Sequence, residues 1–484
     1  MTKEEKILQE NKKEKSFASI SAKSFISVVI ILVCMIALSG ILSLVVPQGE
    51  FARNANGEII ADTFVQGEPE GIAFWKIITA PFRVFFADGS LTIIMICVFL
   101  LVMSGVFNLL DKTNGMKIIM NKIVKKFNNK KRLVICFCIL FFMLFGSLFG
   151  LFEELVTLLP FVIVFMIALN LDTMSGLGVC LLASCFGFSA AITNPFSVGI
   201  ASSFAGINTL SGVWLRIIFF IIVFALVCGF ILLHMRKIQK NPEKSLTFEI
   251  DKEKREELNF SIEESTPKDN KIFKVFLTFF IVQLAVLFAV ASIRAISGYA
   301  IPILAVTFLV GGIISGLLVV DKKSDVFKYL GKGAVSMLPA VLLIALASSV
   351  NLIMTESGIL DTIMHAVITF LQGKNIFVCV IFIYFFILFL QVFIGSASAK
   401  IFLVMPILLP ICNVIGISPN LLILVYCMAD GFSDVILPTN PVLLIGLSMS
   451  NVSYGKWVKW TWKIQLVVFL VSLLTLFVGI KIGY

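Results

Sequence analysis

The stretch GFSDVILPTNPVLLIG, residues 431–446, decides how this chain is read. It lies in a mostly apolar run, Leu421 to Met449, long enough for a membrane helix. Yet its centre carries Asp434, Pro438, Thr439, Asn440 and Pro441. Proline removes a backbone donor and frees a carbonyl one turn back, so a helix through these residues is broken. Charge and irregular backbone at membrane depth are tolerated only where protein surrounds them.

Composition supports a membrane setting. Of 484 residues, 59% are hydrophobic and 14% charged, with a mean hydropathy of +1.04. A soluble chain would carry about 25% charged residues. Apolar runs of spanning length recur along the chain, and no stretch between them is long enough for a soluble domain. The net charge of +10 is no nucleic-acid footprint, because Lys and Arg fall mostly in loops, where they orient membrane proteins. All ten cysteines lie in apolar segments. They read as reduced and buried, since Cys136-x-Cys138 lacks metal-site spacing. After the polar tail 1–24, the first apolar run is too long for a signal core and has no small-residue cleavage site behind it, so it is expected as a retained helix.

The first half, 25–234, holds helices at about 25–46, 90–110 and 213–234, with an interfacial segment at 74–87. Its apolar run 133–170 is interrupted by GSLFGLFEE (146–154), and 175–207 by ITNPFS (192–197). A mixed-charge cytoplasmic linker, 235–272, leads to the second half, 273–484. There 375–412 is interrupted by GSASAK (395–400), and 419–449 holds the opening stretch. Residues 321–332 and the segment bearing Lys456, Lys459 and Lys463 read as basic loops.

The halves repeat. SGVFNLLDKTNG (104–115) matches SSVNLIMTESG (348–358), GSLFG (146–150) matches GSASA (395–399), and GFSAAITNP (187–195) matches GFSDVILPTNP (431–441). The loop 111–132 carries eight bases and one acid, which places it inside. The Lys-bearing 321–332 segment is inside too, so the partner helices 90–110 and 333–354 run oppositely. The repeats are therefore inverted, the signature of a secondary transporter with its site in discontinuous helices near the midplane. Parity allows two crossings or a re-entrant hairpin in 133–170 and in 375–412. Tips rich in Gly, Ser and charge favour hairpins. The expected fold is an all-α polytopic membrane protein of two inverted-topology repeats, each with a re-entrant hairpin and a broken transmembrane helix. Its N-terminus is expected inside and its C-terminus outside.

Candidate substrate- and ion-binding residues follow from the four interruptions. They are Ser147, Glu153 and Glu154 at the first tip, and Ser189, Thr193 and Asn194 at the first break. Ser396, Ser398 and Lys400 lie at the second tip. Asp430, Ser433, Asp434, Thr439 and Asn440 lie at the second break. Freed carbonyls with Thr193, Asn194, Thr439 and Asn440 offer hard oxygens for a cation such as Na⁺. The matched breaks suggest either two cation sites or two jaws on one substrate. His234 and His365 read as interfacial.

PQGEF (47–51), FEE (152–154), ITNPFSVGIAS (192–202), SASAK…MPILLP (396–410), DGFSDVILPTNP (430–441) and YGKW (454–457) give the chain a resemblance to the YfcC family. That family belongs to the DcuC-like C4-dicarboxylate carriers of the ion transporter superfamily, and the resemblance covers most of the chain. It implies elevator-type alternating access, Na⁺ or H⁺ coupling with no other cofactor, a homodimer through a scaffold domain, and a bacterial cytoplasmic membrane. The superfamily's hairpin-tip Ser-Asn-Thr is not present; Gly146-Ser147 and Gly395-Ser396 stand there instead. Acids outnumber bases across the hairpins and the second break. An amino acid, of the arginine/ornithine exchange type, is therefore expected ahead of the alternative, a C4-dicarboxylate. An intramembrane enzyme is disfavoured, since there is no His-Glu-x-x-His and no GxxxxGK[ST] loop. A channel stays open on sequence alone.

Overall fold

A computed structural model describes residues 22–52, 63–68, 71–87, 90–115, 117–119, 122, 130–156, 158–258, 266–292 and 299–484. Side chains of some helical residues, Ser398 among them, lie outside that description. The fold is all-α apart from one antiparallel pair, β1 (Gly49–Glu50) with β2 (Val65–Gln66). Among the described residues eight helices are long and apolar enough to cross a membrane. The protein is thus a multi-pass membrane protein.

The chain opens with α1 (Ala22–Val45), the strand pair, α2 (Phe74–Arg83) and α3 (Ser90–Lys112). As expected of an interfacial element, α2 exposes Phe74, Trp75, Ile78 and Phe82. The first interrupted run becomes α4 (Lys131–Phe149), α5 (Glu153–Val156) and α6 (Leu159–Ala168). The second becomes α7 (Thr173–Ser189), a break, a π turn (Pro195–Gly199) and α8 (Ile200–Phe204). Helix α9 (Val213–Lys240) follows.

The mixed-charge linker is largely helical, with α10 (Phe248–Leu258) at its centre. It shows no hydrophobic period because the face it buries is polar. Thr247, Asp251 and Lys254 are buried at helical spacing against the protein. Beyond it come α11 (Pro267–Ser292), α12 (Ala300–Val319), α13 (Lys323–Ser336) and α14 (Leu338–Glu356). Helix α13 replaces the loop expected over 321–332. Its lysines face out while Val326, Leu330 and Gly333 bury one stripe against α3.

The second half continues with α15 (Ile359–Leu371), α16 (Ile376–Phe393) and α17 (Ala397–Ile415). Then come α18 (Pro419–Asp430), a 3₁₀ turn (Phe432–Val435), α19 (Pro441–Ser450) and α20 (Tyr454–Ile482). The lysines expected in a loop at 456–463 lie on the first turns of α20. The first arms of both interrupted hairpin segments, α4 and α16, are themselves of spanning length.

The interrupted elements interlock. Helix α5 packs on α19, so the first tip meets the second break. Helix α17 packs on the π turn and on α8, so the second tip's arm meets the first break. Helix α7 packs on α18 and on the 3₁₀ turn. Glycine permits the closest approach. A Cβ on Gly187 would sit 2.2 Å from the Met143 carbonyl oxygen, and one on Gly146 would sit 2.4 Å from that of Ser184.

Candidate functional site

The two Thr-Asn-Pro triplets fold alike. Asn194 and Asn440 each sit at a helix N-cap, with proline in the first helical position. The Asn194 Oδ1 accepts from Phe196 N at 2.9 Å, and the Asn440 Oδ1 accepts from Val442 N at 2.8 Å. Asparagine caps a helix well, and proline there forfeits only a donor that had no partner anyway. The recurrence is thus first a device for restarting a helix. One acceptor position of each asparagine oxygen is thereby committed to the cap.

The freed carbonyls are also used. At the first break Ser147 Oγ donates to Ala190 O at 2.7 Å, and Asn194 Nδ2 donates to Phe188 O at 3.4 Å. Thr193 Oγ1 donates to Leu148 O at 3.1 Å. The backbone oxygen of Ser147 accepts from Ile192, Thr193 and Asn194 N at 3.0–3.2 Å. The first tip therefore splints its own break. Gly150 makes this possible: it holds φ 70°, and a Cβ there would lie 2.2 Å from Asn194 Oδ1. At the second break Trp457 Nε1 donates to Val435 O and Tyr454 Oη to Ile436 O, each at 2.5 Å. Leu437 O accepts from Asn440 N at 3.1 Å.

What remains is charge. Lys400 on α17 forms an ion pair with Asp430 at the end of α18, and their side chains are 0% and 1% exposed. Asp434, 4% exposed, accepts from Gln391 Nε2 and, at 2.7 Å, from Asn440 Nδ2. Two carboxylates thus face one ammonium in a desolvated setting. Among the described residues, Gln391 Oε1, Thr439 Oγ1, Asp430 Oδ2 and Ser197 Oγ are buried without a hydrogen-bond partner. Buried polar atoms are normally satisfied, and these lie near the breaks, while Arg216 Nη1, Arg255 Nε, Asn451 Oδ1 and Gln465 Nε2 are likewise unpartnered elsewhere among the described residues.

The other expected residues divide. Ser189 Oγ donates to Cys185 O at 3.0 Å, and Ser433 Oγ to Asp430 O at 3.1 Å. Ser396 is the exposed N-cap of α17. Glu153 and Glu154 start α5, where carboxylates suit the helix dipole; Glu154 is buried and Glu153 half-buried. Of the four residues expected around Na⁺, Thr439 alone keeps an uncommitted side-chain oxygen among the described residues.

Gln391 was not among the expected residues, although a lone amide in ILFLQVF is a readable signal. A second polar cluster lies at the α7 end remote from the break. Asp172 accepts from Ser175 Oγ (2.6 Å) and Ser245 Oγ (2.7 Å) and pairs with His234 Nε2 at 2.9 Å. Trp460 Nε1 donates to His234 Nδ1 at 3.1 Å. Asp251 accepts from Thr173 and Thr247, and Lys254 Nζ donates to Ser450 O at 3.3 Å. Helix α10 is thereby tied to the start of α7 and the end of α19. His234 lies within α9 rather than at its end. His365 stacks on Phe64 with ring centroids 4.2 Å apart.

The sequence profile of the DcuC family, C4-dicarboxylate anaerobic carriers, matches residues 25–481. A protein of Escherichia coli (strain K12) named "Putative basic amino acid antiporter YfcC" is 26% identical over 384 residues, 76% of this chain and 74% of that protein. An uncharacterized protein of Haemophilus influenzae is 26% identical over 377 residues, 77% of this chain and 72% of its own length. The Alcanivorax borkumensis YdaH transporter is similar at a TM-score of 0.43 and 17% identity, covering 95% of this chain and 99% of that one. The chain belongs to the DcuC family of membrane carriers.

Proposed function

We propose that this protein is a secondary transporter of a basic amino acid, working by exchange and alternating access. The observation that carries this reading is the charge set at the second break. Two carboxyl groups, Asp430 and Asp434, stand against the single ammonium of Lys400 in a site shielded from water, so with both ionised one negative charge is left over. A dicarboxylate would add two negative charges to it; an ammonium or guanidinium group would neutralise it. The relative named as a basic amino acid antiporter supports the same reading, and the C4-dicarboxylate of the family's name is the alternative.

In this scheme the tips and breaks form the moving transport unit as inverted, re-entrant repeats. Helices α1–α3 and α11–α14 form the scaffold and the contact of a homodimer, with the N-terminus in the cytoplasm of a bacterial cell. The coupling cation, Na⁺ or H⁺, falls to Asp434 with the unpartnered Thr439 Oγ1 and Gln391 Oε1, and would occupy the site in alternation with the substrate's cationic group rather than together with it.

The test is counterflow of labelled arginine into proteoliposomes loaded with ornithine, with succinate and neutral amino acids as competitors. Ornithine-dependent, saturable accumulation blocked by arginine and not by succinate is expected. Uptake of succinate without an arginine signal would transfer the site to the anion, with Lys400 as its partner. Flux that neither saturates nor shows counterflow would make the protein a channel.

A further inference from the structure

His234 is held between a donor and an acceptor. Its Nδ1 accepts from the indole Nε1 of Trp460 at 3.1 Å. Its Nε2 lies 2.9 Å from Asp172 Oδ2, and its side chain is 9% exposed. An indole N–H only donates and an ionised carboxylate only accepts, so the two bonds together need the neutral ring with its proton on Nε2. A second proton has one place to go, Nδ1, and there it turns two N–H groups on each other. Protonation therefore breaks the Trp460 bond and strengthens the Asp172 bond in one step.

Each partner leads to another part of the fold. Asp172 precedes α7 and accepts from Ser245 Oγ of the linker. Trp460 stands one turn after Trp457 on α20, with ring centroids 5.5 Å apart, and Phe230 packs edge-on against it at 4.6 Å. Trp457 Nε1 donates to Val435 O, one residue after Asp434. His234 thus ends a chain of contacts that begins at the second break. The other charged groups around it are engaged elsewhere or face out. Lys131 on α4 and Arg255 on α10 donate to Leu169 O and Leu171 O at 2.9 and 2.7 Å. Asp251 accepts from Thr173 and Thr247, and Lys254 donates to Thr173 Oγ1 at 3.2 Å. Exposed are Arg132 on α4, Arg236, Lys237 and Lys240 on α9, Glu243 and Lys244 after it, and Lys456, Lys459 and Lys463 on α20. Thiols on these elements, such as Cys136 and Cys228, belong to a class that titrates above the range of imidazole. Helix α9 (Val213–Lys240) has 28 residues, where about 20 cross a membrane. His234 comes after the twentieth, at the edge where protons arrive.

We propose that His234 is a proton-binding switch whose protonation releases Trp460, and with it the hold of α20 on the second break. With the ring neutral, the chain from Asp172 to Val435 is complete and the break is held. On acidification the indole loses its acceptor, and the break gains freedom to move. Exchange therefore speeds up as pH falls through the range in which histidine titrates. That consequence rests on the transporter reading, whereas the proton site itself does not.

The experiment follows tryptophan emission of the purified protein, and arginine counterflow in proteoliposomes with the same pH on both faces. Both are measured from about pH 8 to about pH 5, the range in which histidine ordinarily titrates. A protonated imidazole quenches a neighbouring indole, so an emission step is expected, with a several-fold rise in counterflow at the same midpoint. His234→Gln should lose both. The two neighbours should move the counterflow midpoint in opposite directions. Trp460→Phe removes the bond that opposes protonation and raises the midpoint by about half to one pH unit, the effect of one hydrogen bond. Asp172→Asn removes the charge that favours protonation and lowers it by about one unit or more. These two variants keep the test open should His234→Gln fail to fold. Midpoints that stay put or move together overturn the switch, as does an emission step that survives in His234→Gln. A fall in counterflow on acidification overturns the release of the break. An emission step lost in His234→Gln, in protein that performs no arginine counterflow at any pH, leaves the proton site standing and sinks the transporter reading instead.

Discussion

The Lys400–Asp430 pair offers the sharpest test of the site. Both partners are essentially inaccessible, at 0% and 1%, so neither can turn to water when the other is removed. Lys400→Met keeps the stem's volume and deletes the charge, leaving Asp430 and Asp434 buried with no cation. Breaking a buried pair on one side costs about 3–5 kcal/mol. With an unfolding entropy of about 2 cal/mol/K per residue, a chain of 484 residues melting as one unit loses roughly 1 °C per kcal/mol. Melting of the purified protein in detergent should therefore fall by roughly 3–5 °C. The double change Lys400→Met/Asp430→Asn removes the stranded charge and should recover most of that loss while arginine counterflow stays absent. Two results refute the reasoning. A single variant melting within a degree of wild type means the pair is solvated or not formed. A double variant that still transports means the pair takes no part in the site.

Three further outcomes follow from the breaks and the clasp. Asn194→Ala and Asn440→Ala should each cost about 0.5–2 kcal/mol as lost caps, and Asn194→Ser should restore most of it; an unchanged melting curve would deny the capping role. Gly187→Ala should block assembly of the first tip with α7, since its methyl would meet the Met143 carbonyl and Cα at 2.2 and 2.5 Å, and normal yield of monodisperse protein would contradict this. Burial alone would push Asp172 up, but hydrogen bonds and charge from His234, with hydrogen bonds from Ser175 and Ser245, hold it at about 2. Its folded value thus lies below the unfolded one of about 3.9, so its stabilisation is complete above that value and lost as pH falls toward 2. The melting gap between wild type and Asp172→Asn should narrow below about pH 4; a gap that widens there would reverse the sign.

Much of this was readable from residue types. Prolines and an aspartate inside an apolar run reveal a break, because both are costly in lipid, and the breaks lie at the expected positions. The role of each residue at a break was less readable. Thr-Asn-Pro supplies oxygens and also supplies an N-cap followed by a compatible first turn, and sequence alone does not say which use prevails. The structure commits both asparagines to capping and the freed carbonyls to Ser147, Tyr454 and Trp457, partners distant in sequence. Helix α10 escaped notice for a related reason: its buried face is ionic, and hydrophobic periodicity is blind to it.

The capping has a consequence for function. A break whose backbone is already satisfied needs no ligand to hold it open, so it can persist through a transport cycle whether or not substrate is present. The groups left over are then free to act on cargo, and they are unequally shared. The first break retains Ser197 Oγ, whereas the second retains Thr439 Oγ1, Gln391 Oε1 and Asp430 Oδ2 beside Asp434. Repeats that match in sequence have therefore diverged in chemistry. The first tip and break are splinted by Ser147 and crowded at Gly146, Gly150 and Gly187. The second carries the charge and most of the unpaired oxygens. Substitutions that alter selectivity should accordingly collect at the second break, and those that alter folding at the first.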